Sequence, residues 1–331
     1  MSTRLIVVIG ATGLQGGSVA RHFASLPNWR VRAITRDPSK PSATALTSQG
    51  IEVVAADLND PSSLEKAFTD ANIIFANTDI WQFLQNPTTF AEAERTNKFP
   101  NQIAHDLEIQ QGKNAVDAAA KQTDKHLDLF VWSTLSDTKK WTHGKIQWNL
   151  HFDSKAAVAA YIRSTHPALA AKTSHLQVGF YLQNWKMNAA LRPKKQGDGT
   201  FAMSLPRAMQ TFAAPLVDPS HDTGLFVEAL VKSPPGSAML GYCREMSYAE
   251  HWHLWARVQG VELEIRDGEL DFGEEMPEWL RVEFRDSFEY CTTYGFAGGD
   301  GAVKGPEAFG ADMDRMTDLE DWIRREDWSI L

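Results

Sequence analysis

The sequence predicts an α/β fold with a doubly wound parallel sheet and a smaller C-terminal α/β domain. Three observations predict this fold. A β-branched apolar run at 4–9 leads directly into a glycine-spaced turn and an amphipathic segment at 14–26. Short β-rich runs then alternate with helical segments, and the alternation ends near residue 180. Repeated strand–helix units require right-handed crossovers, so the strands that they join are parallel.

Each element of the first half is predicted from its own local pattern. Runs rich in β-branched and aromatic residues predict strands, and they lie at 4–9, 30–35, 51–56, 72–77, 127–133 and 173–179. Segments with helical patterning lie at 14–26, 61–69, 100–122 and 152–165. Pro61 and Glu65 stand early in their helix, as is typical of a helix start. The ligand crevice of such a sheet lies beyond the carboxyl ends of its strands.

The second half of the chain is less regular. A helix begins at Asp218, and Ser247 with Glu250 forms a capping box at the start of another. The segment 81–100 is interpreted as a long loop, which is either a substrate-covering element or a surface insertion. We expect a first domain over 1–179, to which 208–232 returns, and a smaller substrate or partner domain over 180–331.

The composition excludes several classes of partner. A formal net charge of −9 over 331 residues argues against nucleic acid or an anionic membrane as the main partner, because phosphate binding needs clustered Lys and Arg. The two cysteines, Cys243 and Cys291, form no disulfide framework and show no metal-ligand spacing. No apolar run reaches transmembrane length. We therefore expect no metal and a cytoplasmic protein, with the nucleus as the alternative compartment.

The glycine-spaced turn predicts a dinucleotide site. Gly10 permits a tight turn, Gly13 lets a pyrophosphate approach the backbone, and Gly16 lets the helix pack against the strand. The free N–H groups of the helix N-terminus then face the phosphates. The spacing G-x-x-G-x-x-G resembles that of extended and atypical short-chain dehydrogenase/reductases. The other turn residues expected to contact the cofactor are Thr12, Leu14 and Gln15.

The end of the second strand favours NADPH over NADH. Arg36 stands where a guanidinium can grip a 2′-phosphate, and Lys40 adds a second positive charge. The alternative is a surface ion pair between Arg36 and Asp37, which would contribute little. The superfamily resemblance implies an adenine-edge contact from Asp57 and Leu58. It also implies that the pyrophosphate and nicotinamide ribose are lined by Asn77, Thr78 and Asp79.

The usual catalytic tyrosine of this superfamily is missing. Reductases of this kind carry Tyr-x-x-x-Lys after the fifth strand, and the lysine lowers the phenol pKa so that the tyrosine exchanges a proton with substrate. None of the six tyrosines has a lysine four residues later. The corresponding segment keeps Lys155 but carries His151 in place of the tyrosine.

This segment resembles the NmrA-like family, specifically a branch of NADPH-sensing proteins with an H-F-D-x-K segment. The resemblance extends from Gly10 to Gly224 and includes 79–81, 111–113, 180–184, 203–206 and 221–224. It implies an NADP(H)-binding Rossmann core with a small C-terminal domain. By matching position, it implies that Lys155 contacts the nicotinamide ribose, and that Tyr181 and Asn184 close over the cofactor.

Three roles are open for His151: a proton donor to substrate, a group that orients the cofactor, or a structural residue before the helix. Ser133 stands where the superfamily keeps a serine that hydrogen-bonds a carbonyl. The candidate catalytic residues are therefore Lys155, His151 and Ser133.

Two functions are consistent with these residues. The first is an NADPH-dependent reductase of a small quinone, imine, enone or carbonyl compound, with aromatic residues near the crevice at Trp81, Phe83, Phe180 and Trp185. The second is a non-catalytic redox sensor whose NADPH occupancy is sensed by a regulatory protein partner. Either would be a monomer or a homodimer.

Overall fold

Thirteen strands and fourteen α-helices lie within residues 3–331, the part of the chain that this computed structural model describes. The strands are β1 (Arg4–Val8), β2 (Trp29–Thr35), β3 (Glu52–Ala55), β4 (Ile73–Ala76), β5 (Leu129–Thr134), β6 (Thr173–Val178), β7 (Phe180–Tyr181), β8 (Lys194–Lys195), β9 (Phe201–Leu205), β10 (Ala214–Val217), β11 (Ala238–Gly241), β12 (Arg244–Met246) and β13 (Leu263–Asp267). The helices are α1 (Leu14–Ser25), α2 (Pro41–Thr47), α3 (Pro61–Ala67), α4 (Pro87–Thr96), α5 (Pro100–Ala120), α6 (Thr138–Trp141), α7 (Leu150–Thr165), α8 (Pro167–Ala170), α9 (Asn184–Met187), α10 (Arg207–Thr211), α11 (Pro219–Lys232), α12 (Tyr248–Gln259), α13 (Glu278–Tyr294) and α14 (Leu319–Arg325).

The central sheet has seven strands in the order β11-β6-β5-β4-β1-β2-β3, and every neighbouring pair is parallel. The strand order reverses between β1 and β4, which makes this gap the topological switch point. The predicted doubly wound parallel sheet is therefore confirmed. The predicted strands and helices of this half differ from the observed bounds by no more than two residues.

Helices cover both faces of this sheet. On one face α1 and α11 bury an apolar layer that includes Val19, Phe23, Phe226 and Leu230. On the other face α3, α5 and α7 bury a second layer that includes Phe68. Two covered faces explain why the central strands are apolar at nearly every position rather than at alternate ones.

Two small three-stranded sheets follow in the second half. One has the order β12-β10-β7 and the other β13-β9-β8. Their shared core is rich in tryptophan, with Trp185, Trp252, Trp255 and Trp322 all buried. The ring of Trp328 stacks on Trp185 at 4.5 Å between centroids. These elements form a separate apolar core beside the carboxyl ends of the large sheet's strands.

The chain passes between the two cores repeatedly. It leaves the large sheet at Gly179, returns to it with α11 and β11, and leaves again for β12. Lys304 then comes back to the edge of the large sheet, where it bridges Met239 of β11. Met316 is buried in the layer formed by α1 and α11. The elements of the large sheet therefore do not all lie on one side of a single boundary in the sequence. The predicted domain boundary at 179/180 stays a prediction.

The segment 81–100 was expected to be a loop, and that prediction is wrong. It holds a 3₁₀-helix at Phe83–Gln85 and helix α4. Asn86 caps α4 by accepting a hydrogen bond from the Thr88 N–H, and Pro87 occupies the first helical position. Asn97 ends the helix in the left-handed region, at φ 53°. These cap signals are in the sequence, but the helix between them is mostly polar and its buried residues are only Thr89 and Ala93.

No helix within residues 3–331 is long and apolar enough to cross a membrane.

Helices α5 and α7 approach closely at Gly112. A Cβ added there would lie 2.4 Å from Cγ2 of Val158. We expect Gly112→Ala to lower the free energy of unfolding by about 1–3 kcal/mol, because the packed helices must separate to admit the methyl group. Urea denaturation measures the loss. The double variant Gly112→Ala/Val158→Ala should lose less than the sum of the two single losses, and strict additivity would contradict this account.

Candidate functional site

The glycine turn joins β1 to α1 at the switch point. Gly10 has φ +66°, and a Cβ there would lie 2.5 Å from Oδ1 of Asn77. A Cβ at Gly16 would lie 2.4 Å from the Gly10 carbonyl oxygen, so this glycine allows the helix to pack on the strand end. Gly13 differs from both, because an added Cβ would meet, among the described residues, the Gly10 oxygen alone, at 3.3 Å. Gly13 therefore borders open space in front of the helix.

The surroundings of this turn fit a dinucleotide. Thr12, Gly13 and Leu14 are exposed, and no side chain caps the N-terminus of α1. Asn77 Oδ1 and Thr78 Oγ1 are buried without a hydrogen-bond partner among residues 3–331. Buried polar atoms usually have partners, so these two atoms are expected to contact a ligand. Free amides at a helix N-terminus are suited to phosphate oxygens.

The carboxyl end of β2 carries an unpaired cation. Arg36 is exposed, and its Nη1 donates to Oε1 of Gln82 at 3.2 Å. No carboxylate within the described chain pairs with Arg36, and the alternative Arg36–Asp37 ion pair is absent. Asp37 instead accepts hydrogen bonds from the N–H and Oγ of Ser39, which lower its pKa. Lys40 is also exposed, at the start of α2.

The turn after β3 is held by its own hydrogen bonds. Asp57 Oδ1 accepts from the backbone N–H of Asn59 at 2.8 Å. The carbonyl oxygen of Leu58 accepts from Nδ2 of Asn114 on α5 at 2.7 Å. Asp57 and Leu58 are half-buried at this edge. Their contact with an adenine ring stays a prediction.

Lys155 lies on α7 with its side chain mostly buried. Its Nζ donates to the carbonyl oxygen of Thr78 at 3.2 Å and forms an ion pair with Glu108 of α5. Glu108 is fully buried and also accepts from Oγ of Ser154. Lys155 is thus held against the loop that follows β4. The sequence analysis missed Glu108, although it shares the buried face of α5 with Ala104.

Ser133, Gln15 and Tyr181 form a directed chain of hydrogen bonds. Ser133 Oγ donates to Gln15 Oε1 at 2.7 Å, and Gln15 Nε2 donates to the Tyr181 hydroxyl at 2.6 Å. Burial raises the pKa of Tyr181 to about 12, with a smaller contribution from the charge of Asp79. The Tyr181 phenol is therefore neutral near pH 7, and its O–H remains available as a donor.

His151 lies one turn before Lys155 on α7. Its Nδ1 is 2.9 Å from Oε1 of Glu283, a buried carboxylate on α13. Its ring lies 5.2 Å from that of Trp81, which in turn stacks on Phe284 at 5.8 Å. The second half of the chain thus supplies Glu283 and Phe284 to this end of the site. The sequence analysis missed both residues.

Asp79 and Asn184 have different surroundings. Asp79 Oδ1 accepts from the Trp81 N–H at 3.0 Å. Asp79 is exposed as a residue, but the protein desolvates its carboxyl group and so raises its pKa. The positive charge of Lys155 opposes that rise. Asn184 begins α9, and no side-chain hydrogen bond within residues 3–331 joins it to the residues above. The structure therefore links Asp79 to the site and does not link Asn184.

The expected group of aromatic residues at the crevice is corrected in part. Trp81 is half-buried and lies beside His151. Phe83 is buried against Ile80, and Trp185 belongs to the tryptophan-rich core. Phe180 packs among other aromatic rings at the edge of that core, where apolar burial determines its position.

Comparison with known proteins identifies related families and folds. A model of the NmrA-like family matches residues 2–323. The NmrA-like family domain-containing oxidoreductase hkm9 of Aspergillus hancockii is 32% identical over 184 residues, which are 56% of this chain and 48% of that protein. The corresponding oxidoreductase FrzB of Cladobotryum sp. is 36% identical over 165 residues, 49% of this chain and 42% of that protein. The chain therefore spans about half the length of these curated relatives.

Solved structures share the fold at low identity. NmrA, a negative transcriptional regulator solved in complex with NADP, has a TM-score of 0.71 and 18% identity over 98% of this chain and 95% of that one. Citrobacter sp. triphenylmethane reductase complexed with NADP(H) has a TM-score of 0.65 and 17% identity, covering 97% of this chain and 99% of that one. Identities this low establish the common fold and nothing more specific.

Proposed function

The chain belongs to the NmrA-like family, and we propose that it is an NADP(H)-dependent oxidoreductase that reduces a small organic substrate. One observation carries the proposal: the glycine turn, Lys155 and His151 meet around the loop that follows β4. Lys155 donates to Thr78 in that loop, and His151 packs on Trp81 three residues later. The hkm9 and FrzB relatives are named as oxidoreductases, which supports the same reaction class.

The residues present fit a bound NADP(H). The N-terminus of α1 would hold the pyrophosphate. Oδ1 of Asn77 and Oγ1 of Thr78, which have no hydrogen-bond partner among the described residues, would form hydrogen bonds with the parts of the cofactor next to the pyrophosphate. Arg36 and Lys40 would hold the 2′-phosphate, and Lys155 would contact the nicotinamide ribose. When bound, the cofactor supplies a hydride. The solved NmrA and triphenylmethane reductase complexes contain NADP or NADP(H), which supports this choice.

His151 is the proposed proton donor. Glu283 accepts from Nδ1, so Nε2 is the ring nitrogen that is left to exchange a proton with substrate. An imine, enone or carbonyl compound takes a hydride on carbon and a proton on nitrogen or oxygen, and a quinone takes the equivalent of one hydride and one proton on its two oxygens. The imidazolium of His151 would deliver that proton from Nε2 and regain it from water.

The experiment that tests this function measures NADPH consumption against a panel of quinones, imines, aldehydes and enones. Light scattering with and without NADPH is recorded on the same samples. Turnover on one of these classes supports the reductase. Cofactor-dependent assembly without turnover on any class would contradict it and favour a redox sensor that acts on a protein partner.

Arg36 is expected to set the preference for NADPH. Arg36→Ala should weaken NADPH binding by about 10–100-fold and leave NADH binding nearly unchanged, because a charge-assisted contact to the 2′-phosphate is lost. Calorimetric titration with both cofactors measures the difference. Arg30→Ala is the matched control, since Arg30 is an exposed arginine near the opposite end of β2. Equal affinities for the two cofactors in the unmutated protein would overturn the assignment.

A further inference from the structure

We propose that Glu283 is the positioning residue of His151 and that it fixes which imidazole nitrogen takes part in proton transfer. This inference rests on the proposed reductase function. Glu283 lies on α13, in the second half of the chain, 132 residues from His151. It does not reach the open side of the site, because its side chain is 1% exposed. Its role is therefore exerted through the imidazole.

The surroundings of Glu283 are those of an ionised carboxylate. Oε1 accepts from the backbone N–H of His151 at 3.1 Å and from its Nδ1 at 2.9 Å. Oε2 accepts from Nδ2 of Asn101, another fully buried side chain, at 2.8 Å. Three donors, two from His151 in the first turn of α7 and one from Asn101 in the first turn of α5, compensate the cost of burying the charge. A carboxylate with three donors accepts from Nδ1, so Nδ1 keeps its proton.

The consequence for His151 concerns Nε2. Because Nδ1 keeps its proton, the ring exchanges a proton at Nε2. Nε2 forms no hydrogen bond within residues 3–331. The His151 side chain is 14% exposed and lies beside the ring of Trp81. Glu283 thereby orients the ring, selects its tautomer and stabilises the imidazolium that must donate. The charged groups near this end of α7 include Glu283 and Asp286 on α13, Glu108 on α5 and Asp79 after β4, and on α7 itself Asp153 and Lys155.

The test compares Glu283→Gln with a matched control. Glutamine keeps an oxygen for the two His151 donors, and its amide can donate to Oδ1 of Asn101, which has no partner within the described chain. The variant therefore removes the charge while preserving the fold. Asp286→Asn is the control, because Asp286 on the same helix accepts from the N–H groups of Gln147 and Trp148 and is not bonded to His151.

We expect Glu283→Gln to lower kcat at least about tenfold with little change in KM, the pattern of a lost partner of a functional histidine. Asp286→Asn should change neither. Identical kcat and KM values for the two variants would assign Glu283 a merely structural role.

A second readout does not require turnover. ¹⁵N NMR of histidine-labelled protein, with the His151 signals identified from His151→Phe, reports the ring tautomer. We expect the Nδ1–H form in the unmutated protein and in Glu283→Gln, whose oxygen still accepts from Nδ1, and a larger Nε2–H population in Glu283→Leu, which removes the acceptor. An unchanged tautomer in Glu283→Leu would overturn the inference. A clear tautomer change in a protein without turnover would instead support the positioning of His151 and contradict the proposed reductase.

Discussion

His151→Phe is expected to bind NADPH with near-normal affinity and to lose about 10²–10⁴-fold in turnover, the usual contribution of a general acid. The phenyl ring can occupy the same space between Trp81 and Phe152, which both contact the imidazole. Glu283 keeps two of its three donors, the His151 backbone N–H and Asn101, so its charge is not left without partners. Steady-state kinetics and calorimetry on one preparation separate the two effects.

Turnover that survives in His151→Phe would contradict this role. The Tyr181 hydroxyl is then the next donor to test with Tyr181→Phe, because Gln15 already donates to its oxygen and leaves its O–H free. Lys155→Ala is a less specific variant. It should impair both binding and turnover, but it also removes the ion-pair partner of the fully buried Glu108, which costs about 3–5 kcal/mol of stability.

Gly13→Val is expected to abolish dinucleotide binding and to leave the fold intact. Gly13 has φ −96° and ψ −176°, an extended conformation that a β-branched residue adopts readily. The added side chain would enter the open space in front of α1, where the pyrophosphate is proposed to lie. Calorimetry with NADPH measures the loss, and circular dichroism checks the fold.

Two further glycines provide controls for this prediction. Gly301→Val replaces a glycine with no atom within 4 Å of its added Cβ and should change neither binding nor stability. Gly16→Val should destabilise the protein itself, because its Cβ would lie 2.4 Å from a carbonyl oxygen of the turn. If Gly13→Val binds the cofactor normally, the turn has a purely structural role.

The sequence is sufficient to predict the parts of this protein that depend on local signals. The β-branched runs, the glycine spacing and the helix start at Pro61 are each contained in a few consecutive residues. The parallel sheet follows from the alternation of strand and helix segments along the chain. The turn residues are located in the same way, whereas Lys155 is located by resemblance to the superfamily's Tyr-x-x-x-Lys segment, and its role stays a prediction. Helix α4 is the exception, because its caps are clear while the residues between them are mostly polar.

The partners of the site residues could not be predicted because they are distant in sequence. Glu108 lies 47 residues from Lys155, and Glu283 lies 132 residues from His151. No spacing rule links such pairs. In the structure both acids lie among the buried residues of their helices, Glu283 near Ser287 on α13 and Glu108 near Ala104 on α5. A charged residue on a buried face requires a partner, which identifies it as a candidate for a site.

The repeated passage of the chain between its two cores limits how this protein can change. A fragment that ended at residue 179 would lack α11 and β11, so the apolar face of α1, including Phe23, would be uncovered. The complementary fragment would carry those elements without the sheet that they pack on. Neither piece is a self-sufficient module. Exchanging the C-terminal half as a block would therefore also replace α11 and β11, together with their contacts to α1 and β6.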